Sequence, residues 1–309
     1  MTACAAAPGP GDVVLDLEVA AHRLLAGRVS GLYESLDGGQ TWRPLLAVSA
    51  IQGLPVNAVL SVPADGLLLA GTPRGLLRSD DDGDTWALLP LARPAVHVST
   101  LRRSPALERD GTLLAGTVED GVFVSTDAGR HWQGWNLGLF DRQIVALAVS
   151  PAFAADRSVV AATNLGLVLS QNGGRRWRAL ALPGGAGAVT ALAIGAAPGA
   201  ALAVGTDTGQ VWLSTDWGDT WDGVARLPAA ESVPSLEFLD DTLYILTDQA
   251  LVAARRAAAG WGAAGALPAP GAEPACFRLA AAPAGPLAFV GDIAGQVRSL
   301  PVRLEAFAP

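Results

Sequence analysis

The stretch Ser79-Asp80-Asp81-Asp82-Gly83-Asp84-Thr85-Trp86 decides the fold, because four close variants of it recur along the chain. They read SLDGGQTW at 35–42, STDAGRHW at 125–132, SQNGGRRW at 170–177 and STDWGDTW at 214–221. We number the five stretches boxes 1 to 5 in chain order. Their closing tryptophans stand 44 to 46 residues apart. A fixed period of this length is typical of propellers and solenoids, in which one repeat cannot bury its apolar face alone.

Each box position has a local physical role. The acidic or amide side chain at the third position is expected to accept hydrogen bonds from backbone N–H groups two residues on, and the fifth-position glycine to take a positive φ. The tryptophan offers a large apolar surface for packing between repeats. The sequence therefore predicts a structural role for ten residues: Asp37, Asp81, Asp127, Asn172, Asp216, Trp42, Trp86, Trp132, Trp177 and Trp221.

A second repeat extends the count beyond the boxes. Seven strand-turn-strand segments occur, at 26–33, 70–77, 115–123, 161–168, 204–211, 245–252 and 290–297. Each follows another short apolar stretch, so the sequence predicts an all-β, seven-bladed β-propeller with about four antiparallel strands per blade. No linker interrupts the period, which favours a single domain over residues 1–309. Trp261 is interpreted as the relic of a sixth box.

The end of the chain leaves the last blade short of a strand. After the segment 296–300 only nine residues follow. Residues 2–7 are expected to supply the outermost strand, and residues 303–307 are the alternative.

The pattern SxDxGxTW resembles the Asp-box, also called the BNR repeat, of sialidases, sortilin-type receptors, xyloglucanases and photosystem II assembly factors. The resemblance covers most of the chain. It implies that the boxes lie on one rim, and that the turns between the second and third strands, with the loops between blades, line the opposite face.

Composition excludes several kinds of partner and cofactor. The net charge of −8 argues against a nucleic-acid partner, because binding the phosphate backbone depends on clustered positive charge. The chain contains no lysine, which excludes a lysine Schiff base and a phosphate-loop lysine. Cys4 and Cys276 show no metal-ligand spacing. We therefore expect no metal, no cofactor and no membrane span, and a monomer in the cytoplasm, since no signal segment is visible.

The search for catalytic residues is negative. The chain has no nucleophile elbow, phosphate loop or zinc-binding helix motif. It lacks the Arg-Ile-Pro motif of sialidases, and Tyr33 occupies the repeat position of Leu77 and Phe123, which indicates packing. Xyloglucanases of the Asp-box type place their cleft between two propellers, whereas this chain has room for one. No catalytic residue is assigned.

The turns and one irregular loop, 135–144, supply the candidate binding face. Its residues are Arg74, Glu119, Asp120, Trp135, Asp141, Arg142, Asn164, Asp207, Asp248 and Asp292. Such loops on a rigid scaffold often carry function. The prediction is a non-catalytic binding or assembly scaffold for a protein or carbohydrate ligand. The alternative is a sialidase-like or glucanase-like glycoside hydrolase that uses two of the face carboxylates.

Overall fold

The computed structural model describes residues 11–20, 23–46, 54–62, 66–93, 95–196, 201–224, 232–257, 260–270, 273–281 and 285–302. Within these ranges it contains seven antiparallel sheets and two one-turn helices. The described residues fall into two compact units. Unit 1 lies within Met1–Val98 and Pro270–Val302, and unit 2 within Ser99–Ala269.

Unit 1 holds three sheets. The first runs β1-β2-β3-β4, with β1 Val14–Ala20, β2 Arg23–Arg28, β3 Gly31–Ser35 and β4 Arg43–Pro44. The second runs β5-β6-β7-β8, with β5 Ala58–Val62, β6 Leu67–Thr72, β7 Gly75–Ser79 and β8 Ala87–Leu89. The third joins three described strands, which are β25 Pro274–Ala280, β26 Leu287–Asp292 and β27 Val297–Pro301.

Unit 2 carries four sheets, the first of which begins at the unit boundary. That sheet contains β9 Val98–Arg103, β10 Leu113–Thr117, β11 Val122–Ser125 and β12 Gln133–Gly134. The next contains β13 Ile144–Val149, β14 Val159–Thr163, β15 Gly166–Ser170 and β16 Arg178–Leu180. The third contains β17 Val189–Ile194, β18 Leu202–Thr206, β19 Val211–Ser214 and β20 Asp222–Gly223. The fourth contains β21 Ser235–Leu239, β22 Thr242–Leu246, β23 Ala250–Ala257 and β24 Gly260–Pro268.

The second and third strands form the buried centre of the sheets, except that β27, the third strand of the last sheet, is largely exposed. Every residue of β6 and β14 is buried, whereas the fourth strand β8 is largely exposed. A strand buried on both faces reads as a continuous apolar run, which explains the repeated segments in the sequence. Because the strands are antiparallel and consecutive, the turn between the second and third strands lies at the opposite end from the box in each of the five sheets that carry one.

Two short helices, α1 Leu107–Asp110 and α2 Phe153–Asp156, were not predicted. Each follows a Ser-Pro pair and ends on an aspartate that the serine holds, as Ser150 Oγ does by donating to Asp156 Oδ2 at 2.6 Å. Arg157 is the residue that follows α2. Its carbonyl accepts a hydrogen bond of 2.8 Å from the N–H of Gly173 in box 4. The short helices therefore stabilise the neighbouring boxes through hydrogen bonds.

The box hydrogen bonds differ from the predicted ones. Ser79 Oγ donates to Asp81 Oδ1 at 2.7 Å and accepts the N–H of Gly83 at 2.9 Å, while Asp81 Oδ1 accepts the N–H of Thr85 at 2.8 Å. The Asp81 carboxylate thus accepts the N–H of the residue four positions after it. The N–H two positions after Asp81, that of Gly83, donates to the serine instead, so the predicted hydrogen bond of the carboxylate was wrong. Positive φ angles at Asp82 (65°) and Gly83 (102°) curl the chain around the carboxylate and explain the shift.

These bonds keep the box carboxylates ionised. Hydrogen bonds from the hydroxyl and N–H of the box threonine, Thr41, Thr85 or Thr220, lower the pKa of Asp37, Asp81 and Asp216 to about 2. At Asp127 burial raises the pKa, but hydrogen bonds from His131 outweigh it and the net pKa is lowered. Carboxylates bound in this way hold turns and are unsuited to proton transfer near neutral pH.

The box tryptophans are not equally buried. Trp177 is only 3% exposed, lies in a hydrophobic cluster of unit 2 and donates its Nε1–H to the Trp135 carbonyl at 2.8 Å. Trp132 is half-buried and donates to Gly129 within its own box at 3.0 Å. Trp261 lies on β24, where a hairpin with long strands replaces a box, and packs edge-to-face on Phe238.

The fold is a seven-bladed β-propeller, as predicted. Six sheets have four strands, and three strands of the seventh are described. The expected closing strands at 2–7 and 303–307 lie outside the described residues. A single domain over the whole chain stays a prediction.

Candidate functional site

The irregular loop 135–144 is tied firmly to the third sheet along the chain. Asn136 accepts the N–H of Val122 through Oδ1 at 2.8 Å and donates from Nδ2 to the Asp120 carbonyl at 2.9 Å. The N–H of Gly121 donates to the Arg142 carbonyl at 3.0 Å. A side chain at Gly121 would collide with Asn136. The loop and the β10–β11 turn therefore form one rigid substructure.

This loop presents a phenylalanine to solvent. Phe140 is 94% exposed, although its neighbour Leu139 is buried. Phe140 is therefore not a packing residue of the blade. Contiguous exposed apolar residues mark interaction surfaces, so the neighbours of Phe140 decide what its exposure means.

A second exposed apolar residue stands beside it. Leu165, in the β14–β15 turn, is 82% exposed. Its N–H donates to Asp141 Oδ2 at 3.1 Å, and Asp141 Oδ1 accepts the N–H of Gln143 at 3.0 Å. The Asp141 carboxylate thus fixes the turn of Leu165 against the loop of Phe140. We call Phe140, Asp141 and Leu165 the Phe140 patch.

A small pocket continues the Phe140 patch toward the next sheet. It has a volume of about 220 Å³, and its lining is of mixed polarity: Thr163, Asn164, Leu165, Gly166, Leu180, Leu182, Gly187, Ala188 and Val189. Its far wall is fixed because Asp207 Oδ1 accepts the N–H of Ala188 at 2.8 Å.

The structure brings only some of the predicted face residues together. Asp120, Asp141, Arg142 and Asn164 meet around the Phe140 patch, where Asn164 Nδ2 contacts Gln143 Oε1. Glu119 adjoins Asp120 in the same turn. Formal charge around the patch is therefore negative, because three carboxylates accompany one guanidinium.

The remaining predicted residues lie elsewhere or serve the turns themselves. Trp135 is half-buried and packs against box 4, with the Arg175 guanidinium 5.0 Å from its ring centroid. Asp292 is 2% exposed and accepts the N–H of Gln296 at 2.7 Å. Asp248 is half-buried, and Arg74 lines a separate pocket in unit 1.

Sequence reasoning missed Leu165 and Gln143. A signal for Leu165 was present, because the residue just before the strand glycine is small or polar in most other turns, such as Ser30 and Asp120. Gln143 carried no such signal, since only the path of the loop brings it to Asn164.

Among the described residues, no group of three or more His, Cys, Asp or Glu side chains is placed to hold a metal ion. In the same part of the chain, no helix has the length and apolarity needed to cross a membrane.

Comparison with known proteins extends the description of the fold. No protein-family model matches the chain, and no curated protein sequence matches it. Among solved structures, "YCF48 bound to D1 peptide" is similar with a TM-score of 0.70 and 15% identity, over 96% of this chain and 94% of that chain. A chain of the mitotic checkpoint complex has a TM-score of 0.75 and 15% identity, over 98% of this chain and 92% of its own length.

An ancestral GH74 enzyme is also similar, with a TM-score of 0.77 and 15% identity over 97% of this chain. Only 46% of that chain is covered, so this protein spans about half its length. At such low identity these similarities establish the propeller fold alone.

Proposed function

We propose that this propeller is a non-catalytic binding or assembly scaffold that takes a protein partner on the Phe140 patch. The exposure of Phe140 and Leu165 carries the proposal. The N–H of Leu165 donates to Asp141, and the N–H of Leu139 donates to the Asn136 carbonyl, so the backbone that carries both side chains is ordered before binding, which lowers the cost of binding. Aromatic residues at the centre of interfaces commonly dominate binding energy.

The chemistry of the surroundings indicates the kind of partner. The carboxylates of Glu119, Asp120 and Asp141 outnumber the guanidinium of Arg142, which favours a partner surface with positive charge around an apolar anchor. The structural neighbours include YCF48 bound to a peptide and a chain within a protein complex, which is consistent with this use of the fold. The box hydrogen bonds support assigning the repeats to the Asp-box type.

A glycoside hydrolase is the second candidate, favoured by the GH74 neighbour. It needs two free carboxylates flanking an open cleft. Asp141 and Asp207 instead accept backbone N–H groups, and no carboxylate lines either of the two pockets. These contacts favour recognition over bond cleavage.

Two assays test the proposal. Affinity capture from the native host should recover a partner with the wild type and with Leu36→Ser, an exposed box residue, but not with Phe140→Ser. Chromogenic sialosides and β-glucans should not be turned over. Robust hydrolysis that is lost in Asp120→Asn or Asp207→Asn would establish the hydrolase instead.

A further inference from the structure

A second pocket lies in unit 1, at the end of the second sheet where β6 turns into β7. Its volume is about 370 Å³, within the usual range for small-ligand sites. It is lined by Arg74, Gly75, Leu88, Leu89, Pro90, Leu91, Ala92, Arg93, Ala95 and Val96. Eight of these ten residues carry no polar side-chain group.

The apolar wall departs from the repeat. The residue two places after the box tryptophan is Pro44, Gly134, Ala179 or Gly223 in four sheets, but Leu88 in this one. Leu88 is 57% exposed, although it lies on a regular strand. It packs toward Gly75, where an added Cβ would lie 2.9 Å from Leu88 Cδ1. The glycine therefore leaves room for a leucine that the other blades do not have.

The charge of the pocket departs from the repeat as well. The residue at the end of the turn before the third strand is Ser30, Asp120, Leu165, Thr208, Gln249 or Ala294 in six blades, and Arg74 in this one. Arg93 lines the same pocket, and no carboxylate does. Arg74 therefore adds a positively charged residue to the lining of an otherwise largely apolar pocket.

We propose that this pocket binds a carboxylate carried on an apolar body of the size of one or two aliphatic side chains. The planar guanidinium of Arg74 would bind the carboxylate through paired N–H donors, and the leucine wall would cover the apolar body. A free carboxylic acid and the C-terminal residue of a peptide share this chemistry. The site is independent of the Phe140 patch, whose residues all belong to unit 2.

The experiment uses the full chain and calorimetric titration. The free-acid probe is octanoate, with octanamide as its uncharged match. The peptide probe is Gly-Ser-Leu-Leu with a free C-terminus, with the amidated peptide as its match. At least one carboxylate probe is expected to bind tenfold or more tightly than its amide, since a charge-assisted pair is lost in the amide.

The variants locate the site. Arg74→Ala should weaken the binding carboxylate probe at least tenfold, and Arg74→Lys should weaken it less. Leu88→Ala should weaken the probe while leaving the preference over the amide, because the wall contacts only the apolar body. Arg298→Ala removes an exposed arginine of β27 in the same unit and should change nothing. All variants should keep the wild-type melting temperature, because the substituted side chains are exposed.

Binding of octanoate alone identifies a free acid as the ligand class, and binding of the peptide alone identifies a C-terminus. The proposal is wrong if neither carboxylate probe binds, if each amide binds as well as its acid, or if Arg74→Ala binds like the wild type.

Discussion

Asp141 and Leu165 are joined across two blades by a hydrogen bond from the Leu165 N–H to Asp141 Oδ2, 3.1 Å long. Since Asp141 directly follows Phe140, this bond brings the backbone of two strongly exposed apolar residues, Phe140 and Leu165, to one carboxylate. The same carboxylate accepts the N–H of Gln143, so its position is fixed from both directions. The surface that we propose for partner binding is therefore preorganised.

Phe140→Ser is expected to leave stability almost unchanged. A substitution on an exposed side chain usually changes the unfolding free energy by less than about 0.5 kcal/mol. Binding of the captured partner should fall tenfold or more, because an exposed aromatic anchor is lost. Denaturant unfolding and titration with the purified partner measure the two effects. A large loss of stability would mean that Phe140 is a packing residue.

Ser125→Ala is expected to cost about 1–3 kcal/mol of stability. Ser125 Oγ accepts the N–H of Gly129 at 2.8 Å, and both residues are buried, so the variant leaves an unpaired buried donor. Thr126→Ala, at the neighbouring exposed position, is the control and should unfold like the wild type. Equal denaturant midpoints for the two variants would show that the serine is dispensable.

The tryptophans of boxes 3 and 4 should differ in their effect on stability. Trp177→Ala should cost about 3–5 kcal/mol, the range for removing a fully buried tryptophan. Trp132→Ala should cost clearly less, because its ring is half-buried. Thermal unfolding of both variants measures the difference. A greater loss in Trp132→Ala would contradict the packing described for Trp177.

Stability should fall with acidity between about pH 4 and pH 2. The pKa values of Asp37, Asp81 and Asp216 are lowered to about 2 in the folded chain from an ordinary value of 3.8. Their contribution is therefore complete above pH 4 and is lost as the pH falls through the folded pKa. In Asp216→Asn the melting temperature should depend less steeply on pH between about pH 4 and pH 2 than in the wild type. Asp222→Asn, on the exposed strand β20, serves as the control. An unchanged acid dependence in Asp216→Asn would refute the linkage.

Much of the fold could be predicted because the box and the strand-turn-strand segment repeat together. A period shared by independent residues, such as Asp81 and Trp86, fixes where each blade begins and ends. The helices α1 and α2 were missed because four residues are too few for an apolar periodicity. Their signal was the Ser-Pro pair with a later aspartate, seen at Ser104 and Ser150.

The site was less predictable because it depends on the path of one loop. Trp135 stands next to Asn136 in sequence, yet it packs against box 4 while Asn136 reaches the β10–β11 turn. Nothing in the sequence distinguishes these directions. Asp292 is almost fully buried and accepts the N–H of Gln296, whereas Asp207 is exposed and accepts the N–H of Ala188; a ligand contact by Asp207 stays a prediction.

The most direct test of the scaffold proposal replaces Phe140 with the photoreactive residue p-benzoylphenylalanine and irradiates the chain in extract of its native host. The same replacement at Leu36, an exposed position in box 1, is the reference. We predict one dominant crosslinked protein from position 140, absent from position 36 and competed by unlabelled wild-type chain but not by Phe140→Ser. Equal crosslinking from both positions, or none from position 140, would contradict the proposed role of the Phe140 patch.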